Sequence, residues 1–185
     1  MIELPAKAPE NENPLPVEIE RKFLLNCSLP QELLDNIPHK SFIKQGFLSI
    51  DEDKVVRIRV STDRRSFQEG YLTVKGRSNE GGMTRTEIET PINSREAETL
   101  LKTFCPNIID KTRYIIHCNG SVWELDQFHG VNEGLWVAEI ELSSEDQKFS
   151  KPSWIGKEVT TDSRYTNAAL SKYPYTAWTE EEKQQ

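Results

Sequence analysis

The sequence has few cysteines, no long apolar run and no excess of positive charge, and each shortage disfavours a class of protein. Cys27, Cys105 and Cys118 are widely separated and form no CxxC pair, so neither a disulfide framework nor a cysteine zinc site is indicated. No apolar run approaches the ~20 residues that cross a bilayer. The formal net charge of −7 disfavours general nucleic-acid or membrane-surface binding. We therefore expect a soluble, cytoplasmic protein with reduced thiols and with no nucleic-acid or membrane partner.

Several common catalytic motifs are also missing. His39, His117 and His129 are scattered without the spacing of metal ligands. The Gly81-Gly82 pair lies outside any GxxxxGK[ST] pattern, so it does not indicate a phosphate loop. Serine and cysteine have no evident base partner in the sequence, which leaves nucleophilic catalysis without support. Any chemistry must come from other side chains.

Alternating apolar and charged residues dominate what is present. Val17, Ile19 and Phe23 alternate with charged neighbours, which is the period of a strand. The same pattern predicts eight strands, at residues 17–25, 41–50, 54–61, 69–77, 83–91, 110–118, 121–128 and 135–142. The whole chain of 185 residues fits one domain, which we place at residues 17–178. Residues 1–16 have the composition of a disordered tail, and residues 179–185 are expected to fray.

Helical periodicity appears in a few segments between the strands. It predicts helices at residues 28–37 and 94–104, the second behind a Ser94 cap. Two shorter helices are expected near residues 143–148 and 162–171, the latter with Asp162 as its N-cap. These helices are minor elements of a strand-dominated fold.

Like charges recur two residues apart on strand after strand, and residues two apart share one face of a strand. The opposite face is apolar in nearly every case, as Val56, Ile58 and Val60 show around the arginines of their strand. The acidic pairs are Glu18/Glu20, Glu87/Glu89, Glu124/Asp126 and Glu139/Glu141; the basic pairs are Arg57/Arg59 and Lys111/Arg113, with Lys22, Lys75 and Arg85 in register beside others.

Two interpretations fit this pattern. In the first, each strand shows its charged side to water, as a one-sided antiparallel sheet does. In the second, the sheet closes, the charges line its interior, and a bound species relieves the repulsion between neighbouring like charges. Carboxylate pairs suit a divalent cation, and arginine and lysine pairs suit phosphate. Spacing alone leaves both interpretations open.

A family resemblance favours the second. Glu18-Ile19-Glu20-Arg21-Lys22 resembles the ExExK signature that begins the first strand of the CYTH, or triphosphate tunnel metalloenzyme, family. Further similar segments follow in family order up to Leu170, and the segment at residues 154–165 is similar to that of short bacterial members. They are Gln45-Gly46-Phe47-Leu48, Val56-Arg57-Ile58-Arg59, Tyr71-Leu72-Thr73-Val74-Lys75-Gly76, Arg85-Thr86-Glu87-Ile88-Glu89, Lys111-Thr112-Arg113-Tyr114, Trp123-Glu124-Leu125-Asp126 and Ala138-Glu139-Ile140-Glu141-Leu142.

The resemblance implies a fold and a site. The implied fold is of the α+β class dominated by β structure: an eight-stranded antiparallel closed β-barrel with helices packed outside. The implied activating ion is Mg²⁺ or Mn²⁺. The implied metal ligands are Glu18, Glu20, Glu139 and Glu141; the implied catalytic residues, completing a second metal or positioning water, are Glu87, Glu89, Glu124 and Asp126; the implied substrate-binding residues are Lys22, Arg57, Arg59, Lys75, Arg85, Lys111, Arg113 and Arg164.

The implied activity is attack of water on a terminal phosphoryl group, with the protein supplying position and charge. We favour inorganic triphosphate as the small-molecule substrate, hydrolysed to diphosphate and phosphate. Hydrolysis of thiamine or nucleoside triphosphate, or class IV adenylate cyclase activity, is one alternative, and a non-catalytic polyphosphate-binding module is another. A homodimer is a further possibility that the sequence leaves open.

Overall fold

The computed structural model describes residues 16–27, 29, 31–79 and 81–184, and these contain all eight predicted strands and a ninth. The predicted tail, apart from Pro16, lies outside the described residues. The strands are β1 (Val17–Leu25), β2 (Lys40–Ile50), β3 (Lys54–Asp63), β4 (Gln68–Gly76), β5 (Thr84–Ile92), β6 (Ile109–Cys118), β7 (Ser121–Phe128), β8 (Trp136–Glu141) and β9 (Ile155–Glu158).

Eight of these strands close into an antiparallel barrel, which confirms the expected fold class. The strand order is β5-β4-β3-β2-β6-β7-β8-β1, and β1 pairs with β5 to complete the ring. Residues 17–19 of β1 pair with β5, and residues 20–24 pair with β8. A single strand therefore joins the two ends of the sheet, so the charged residues of β1 stand at the point of closure.

Strand β9 is an addition that the sequence analysis missed. It pairs with the last residues of β1, Phe23 and Leu25, beyond the part of β1 that pairs with β5. Gly156 allows this close approach, since a Cβ there would lie 3.0 Å from the Asn26 amide nitrogen and 3.1 Å from the Leu24 carbonyl oxygen. A four-residue strand with a central glycine has too little alternation to be recognised from sequence.

The helices are α1 (Gln31–Asp35), α2 (Ser94–Phe104), α3 (Asn167–Lys172) and α4 (Glu180–Gln184). Helix α2 has the predicted bounds, but Asn93 caps it by accepting from the Arg95 amide. The prediction of a helix at 143–148 is wrong, because those residues form turns. Asp162 caps a 3₁₀ turn, Ser163–Tyr165, and the segment expected to fray includes α4. None of the described helices is long and apolar enough to cross a membrane.

Two apolar clusters cover parts of the outside of the barrel. Around Trp123, the outer faces of β1, β6, β7 and β8 pack with Leu34 of α1 and with the connection that carries Phe149 and Trp154. Around Ile58, the outer faces of β3 and β4 pack against Ala97 and Leu101 of α2. With their apolar faces covered on the outside, these strands turn their charged faces to the lumen.

A third apolar cluster, which we call the end cluster, fills one end of the lumen. It consists of Ile109, Phe128, Leu135, Val137, Val159, Tyr165, Leu170 and Trp178. Ile109, Phe128 and Val137 lie two residues from Lys111, Asp126 and Glu139 and share their strand faces. The C-terminal residues Leu170 and Trp178 pack on them, so the C-terminal segment closes this end of the barrel.

Candidate active site

The lumen contains a cavity of about 400 Å³ beside the end cluster. Most of the residues predicted to form the site line this cavity. They are Glu18, Glu20, Lys22, Arg57, Arg59, Lys75, Arg85, Glu87, Glu89, Lys111, Arg113, Glu124, Glu139 and Glu141. The interpretation in which these charges point outward into water is therefore wrong, and the enclosed arrangement is the observed one.

Ion pairs connect opposite charges around one side of the cavity. Lys22 Nζ lies 2.6 Å from Glu20 Oε1 and 2.7 Å from Glu139 Oε1. Lys75 Nζ lies 3.0 Å from Glu18 Oε2 and 2.8 Å from Glu87 Oε2. Each of these ammonium groups bridges two carboxylates that belong to different strands. The repulsion between the paired carboxylates is thereby offset by cations placed between them.

The arginines extend this network over the rest of the wall. Arg85 donates to Glu18 at 2.8 Å and to Glu20 at 3.0 Å. Arg57 donates to Glu89 at 3.1 Å and to the Thr73 hydroxyl at 3.0 Å. Arg59 also donates to Glu89, at 2.7 Å. These guanidinium groups face the cavity with their planar forks, the geometry that suits bidentate contact with phosphate oxygens.

Asp126 lies deeper than the cavity wall. It is 1% exposed and is not among the residues that line the cavity. Lys111 donates to Asp126 Oδ2 at 2.5 Å, and Arg113 Nη2 donates to the same oxygen at 2.6 Å. Arg113 also contacts Glu124 and donates to Glu139 at 2.8 Å. The structure thus places Asp126 behind two cations that it orients toward the cavity.

Arg164 also lies away from the cavity lining. Its guanidinium donates to Asp162 at 2.6 Å and to the Glu182 carbonyl oxygen at 3.2 Å, and it stacks near the Trp178 ring. These contacts tie the 3₁₀ turn to α4. In this structure Arg164 therefore holds the closing C-terminal segment together.

Several residues line the cavity that the sequence analysis did not assign to the site. Gln45 and Phe47 come from β2, and Thr160, Thr166 and Asn167 come from the C-terminal segment. The alternation of β2 already places Gln45 and Phe47 on one face, which is the signal that could have found them. No charge or periodicity distinguishes the C-terminal residues, because their position depends on how that segment packs across the barrel end.

Comparison with known proteins agrees with this architecture. The chain matches the CYTH domain family over residues 16–175. It belongs to the CYTH family. This CYTH protein is 44% identical over 159 residues to an inorganic triphosphatase of Acetivibrio thermocellus, covering 85% of this chain and 95% of that protein. It is 37% identical over 157 residues to an inorganic triphosphatase of Nitrosomonas europaea, covering 83% of this chain and 96% of that protein.

A solved structure shows the same fold. The crystal structure of the inorganic triphosphatase NE1496 aligns with a TM-score of 0.56 at 35% identity, covering 83% of this CYTH protein and 93% of that chain. The closed eight-stranded architecture is therefore shared with a solved structure whose sequence is 35% identical to this one.

The pKa values of the charged groups in the cavity wall are shifted in different directions. Burial and the neighbouring Arg113 lower the pKa of Lys111 to about 8, although Asp126 opposes the shift. Burial also disfavours the charged form of Lys22, but Glu139 and Glu20 outweigh it and raise the pKa of Lys22. Burial raises the pKa of Glu124 despite the opposing charge of Arg113. The raised pKa makes Glu124 a stronger base than an ordinary carboxylate.

The carboxylate set has the chemistry of a site for a hard divalent cation. Glu141 lies directly across from Glu20 in the β1–β8 ladder and makes no ion pair with any described residue. Glu139 and Glu18 lie beside them on the same wall. Carboxylate oxygens are the donors that Mg²⁺ and Mn²⁺ favour, so the residues fit such an ion. Over the described ranges, no three acidic, histidine or cysteine side chains are already clustered in a metal-binding arrangement.

The low pKa of Lys111 predicts a pH dependence of stability. Between pH 8 and ~10.4 the unfolded chain holds the lysine proton and the folded chain releases it, so the unfolding free energy rises with pH. Relative to Lys111→Met, wild type should gain on the order of 1 kcal/mol per pH unit in this window. Denaturant unfolding at several pH values measures the difference.

The matched control for this experiment is Lys44→Met. Lys44 lies on the outer face of β2, and its side chain is 67% exposed. Its substitution removes the same charge without removing a buried one, so its stability difference from wild type should not change with pH. A difference for Lys111→Met that is equally flat from pH 8 to ~10.4 would contradict the assigned pKa shift.

Proposed function

We propose that this CYTH protein hydrolyses inorganic triphosphate to diphosphate and phosphate in the barrel lumen, with Mg²⁺ or Mn²⁺ as activating ion. The observation that carries the proposal is a cavity in the lumen of a closed barrel, whose wall presents arginines, lysines and carboxylates together. The similarity to two relatives named inorganic triphosphatase supports the choice of substrate. A cavity of about 400 Å³ in the lumen, beside the end cluster, suits a short, highly charged anion.

The cations are proposed to grip the phosphate oxygens. Lys22, Lys75 and Lys111 supply compact charges, and Arg57, Arg59, Arg85 and Arg113 supply forked donors. These groups contact carboxylates of the wall, so binding exchanges protein carboxylates for phosphate oxygens of the same charge sign. Because the cations are already desolvated at the cavity wall, binding requires only this exchange of partners and not their transfer from water.

The carboxylates are proposed to have two roles. Glu18, Glu20, Glu139 and Glu141 would hold the divalent cation, and CYTH triphosphatases are in general metal-dependent. When bound, such an ion neutralises phosphate oxygens and so lowers the barrier to attack by an oxygen nucleophile. Glu87, Glu89 and Glu124 remain to bind and orient water on the cavity side of the wall.

The reaction is proposed to proceed by in-line attack of water on a terminal phosphorus atom. A new phosphorus–oxygen bond forms, the bond to the diphosphate oxygen breaks, and diphosphate leaves. Glu124 is our candidate to accept the proton of the water, because its pKa is raised and it faces the cavity. Asp126 is proposed to act indirectly, by positioning Lys111 and Arg113.

A phosphate-release screen tests this function. Inorganic triphosphate, ATP and thiamine triphosphate are each offered with Mg²⁺, with Mn²⁺ or with chelator. We expect inorganic triphosphate with a divalent cation to be turned over fastest and chelator to abolish turnover. Faster turnover of ATP or thiamine triphosphate, or formation of cyclic AMP, would support the organic-triphosphate alternative. Tight triphosphate binding without release of phosphate would support a binding module.

Single substitutions in the wall test the assigned roles. Arg57→Ala and Glu141→Ala should each reduce kcat/KM for triphosphate by about 10²- to 10³-fold, the usual effect of losing one preorganised donor or ion ligand. The matched controls are Arg77→Ala and Glu133→Ala, whose side chains are 68% and 65% exposed outside the cavity. Near wild-type phosphate release by both wall variants would show that the lumen is not where the reaction occurs.

A further inference from the structure

A small set of buried polar atoms in the described part of the chain has no hydrogen-bond partner, and most of them belong to cavity residues. They are Gln45 Nε2, Arg57 Nε, Arg59 Nε and Asn167 Oδ1 at the cavity, together with Trp123 Nε1 and Asn132 Nδ2 elsewhere. Buried polar groups are nearly always paired, because an unpaired one loses its hydration without compensation. Three N–H donors without acceptors on one wall point to a ligand that supplies the acceptors.

Of the three N–H donors at the cavity, Gln45 is the one that carries no charge and that the proposed mechanism does not use. It is 1% exposed, in the middle of β2, directly across from Arg59 on β3 and from Ile109 on β6. Its neighbour Gly46 faces outward against α2, where a Cβ would lie 2.4 Å from the Cys105 Cβ. This close packing fixes the face of β2 and directs the Gln45 side chain into the lumen.

The position of Gln45 is near the closed end of the cavity. Phe47, two residues along the same face, lines the cavity and also packs against the end cluster. Helix α3 packs against β2 and β6 and brings Asn167 and Ala168 to the same cavity. Gln45 therefore stands where the charged wall meets the apolar end of the barrel.

A neutral donor has a particular use at this position. The arginines and lysines that line the cavity each contact at least one carboxylate, so each brings a competitor for phosphate together with its charge. Gln45 adds an N–H donor without such a competitor. Without an acceptor, however, the buried amide of Gln45 lowers the free energy of unfolding, because it loses its hydration without gaining a hydrogen bond. An apolar side chain of the same length would carry no such cost. This combination is typical of a residue retained for binding.

We propose that Gln45 is a further substrate-binding residue, which donates its side-chain amide N–H to an oxygen of the phosphoryl group at the closed end of the cavity. The proposal rests on the proposed function, since it takes the ligand to be a triphosphate in the lumen. It adds an uncharged contact to the set of arginines and lysines, at the end where the chain of phosphates must stop.

Gln45→Met tests this role, with Gln68→Met, at the exposed start of β4, as the matched control. Losing a hydrogen bond to a charged acceptor should raise the KM for triphosphate, and its Kd measured by calorimetry in chelator, by about tenfold to a hundredfold. The kcat should change less. The Tm without ligand should stay equal or rise, while the Tm increase caused by added triphosphate should shrink. Gln68→Met should change none of these quantities.

Two results separate failure of this role from failure of the proposed function. If wild type binds and hydrolyses triphosphate and Gln45→Met does so with the same KM and Kd, the role of Gln45 is wrong and the function stands. If wild type neither binds nor hydrolyses triphosphate, the function is wrong and the proposal falls with it. Gln45→Leu, which removes the donors without adding a charge, provides the same test should the methionine variant fold poorly; unchanged triphosphate affinity in that variant would also overturn the proposal.

Discussion

Neutralisation of like charges inside a closed lumen is the constraint on which the rest of the structure depends. Carboxylates two residues apart on one strand repel, and within a barrel they cannot turn away into bulk water. Here Lys22 and Lys75 stand between carboxylates of different strands, and Arg113 spans Glu124, Asp126 and Glu139. A network of this kind holds its members in place while each remains able to exchange one partner for another of the same sign.

Barrel closure and site formation depend on the same strand. The ladder of β1 with β5 sets Glu18 opposite Arg85, and its ladder with β8 sets Glu20 opposite Glu141 and Lys22 opposite Glu139. Loss of either ladder would open the barrel and separate these charges at once. The ExExK pattern therefore has a structural role, since its three charged side chains meet partners from both sides of the closure. Binding at this point would also strengthen the closed state, because a ligand that binds only the folded chain stabilises it.

Much of this architecture follows from the sequence, and the parts that do not have physical reasons. Apolar-polar alternation over eight or more residues is a strong signal for a strand, and helical periodicity over eleven residues is a strong signal for a helix. The strands β1 and β7 and the helix α2 therefore have the bounds that were predicted. The spacing of the charges does not determine which way their faces point; the family resemblance favours the lumen, and the cavity lining confirms it. Strand β9 is too short to show a period. The depth of Asp126 and the place of Arg164 depend on packing between distant segments, which local pattern does not contain.

Whether a triphosphate takes the place of the wall carboxylates around the lumen cations can be tested by a crystal structure of the protein with a non-hydrolysable triphosphate analogue and Mg²⁺. We expect the analogue to lie inside the lumen, with Arg57 and Lys75 turned from their carboxylate partners to phosphate oxygens, Arg113 still held by Asp126, and the ion held by carboxylates of β1 and β8. An analogue bound on the outer surface, with every ion pair of the lumen unchanged, would contradict it.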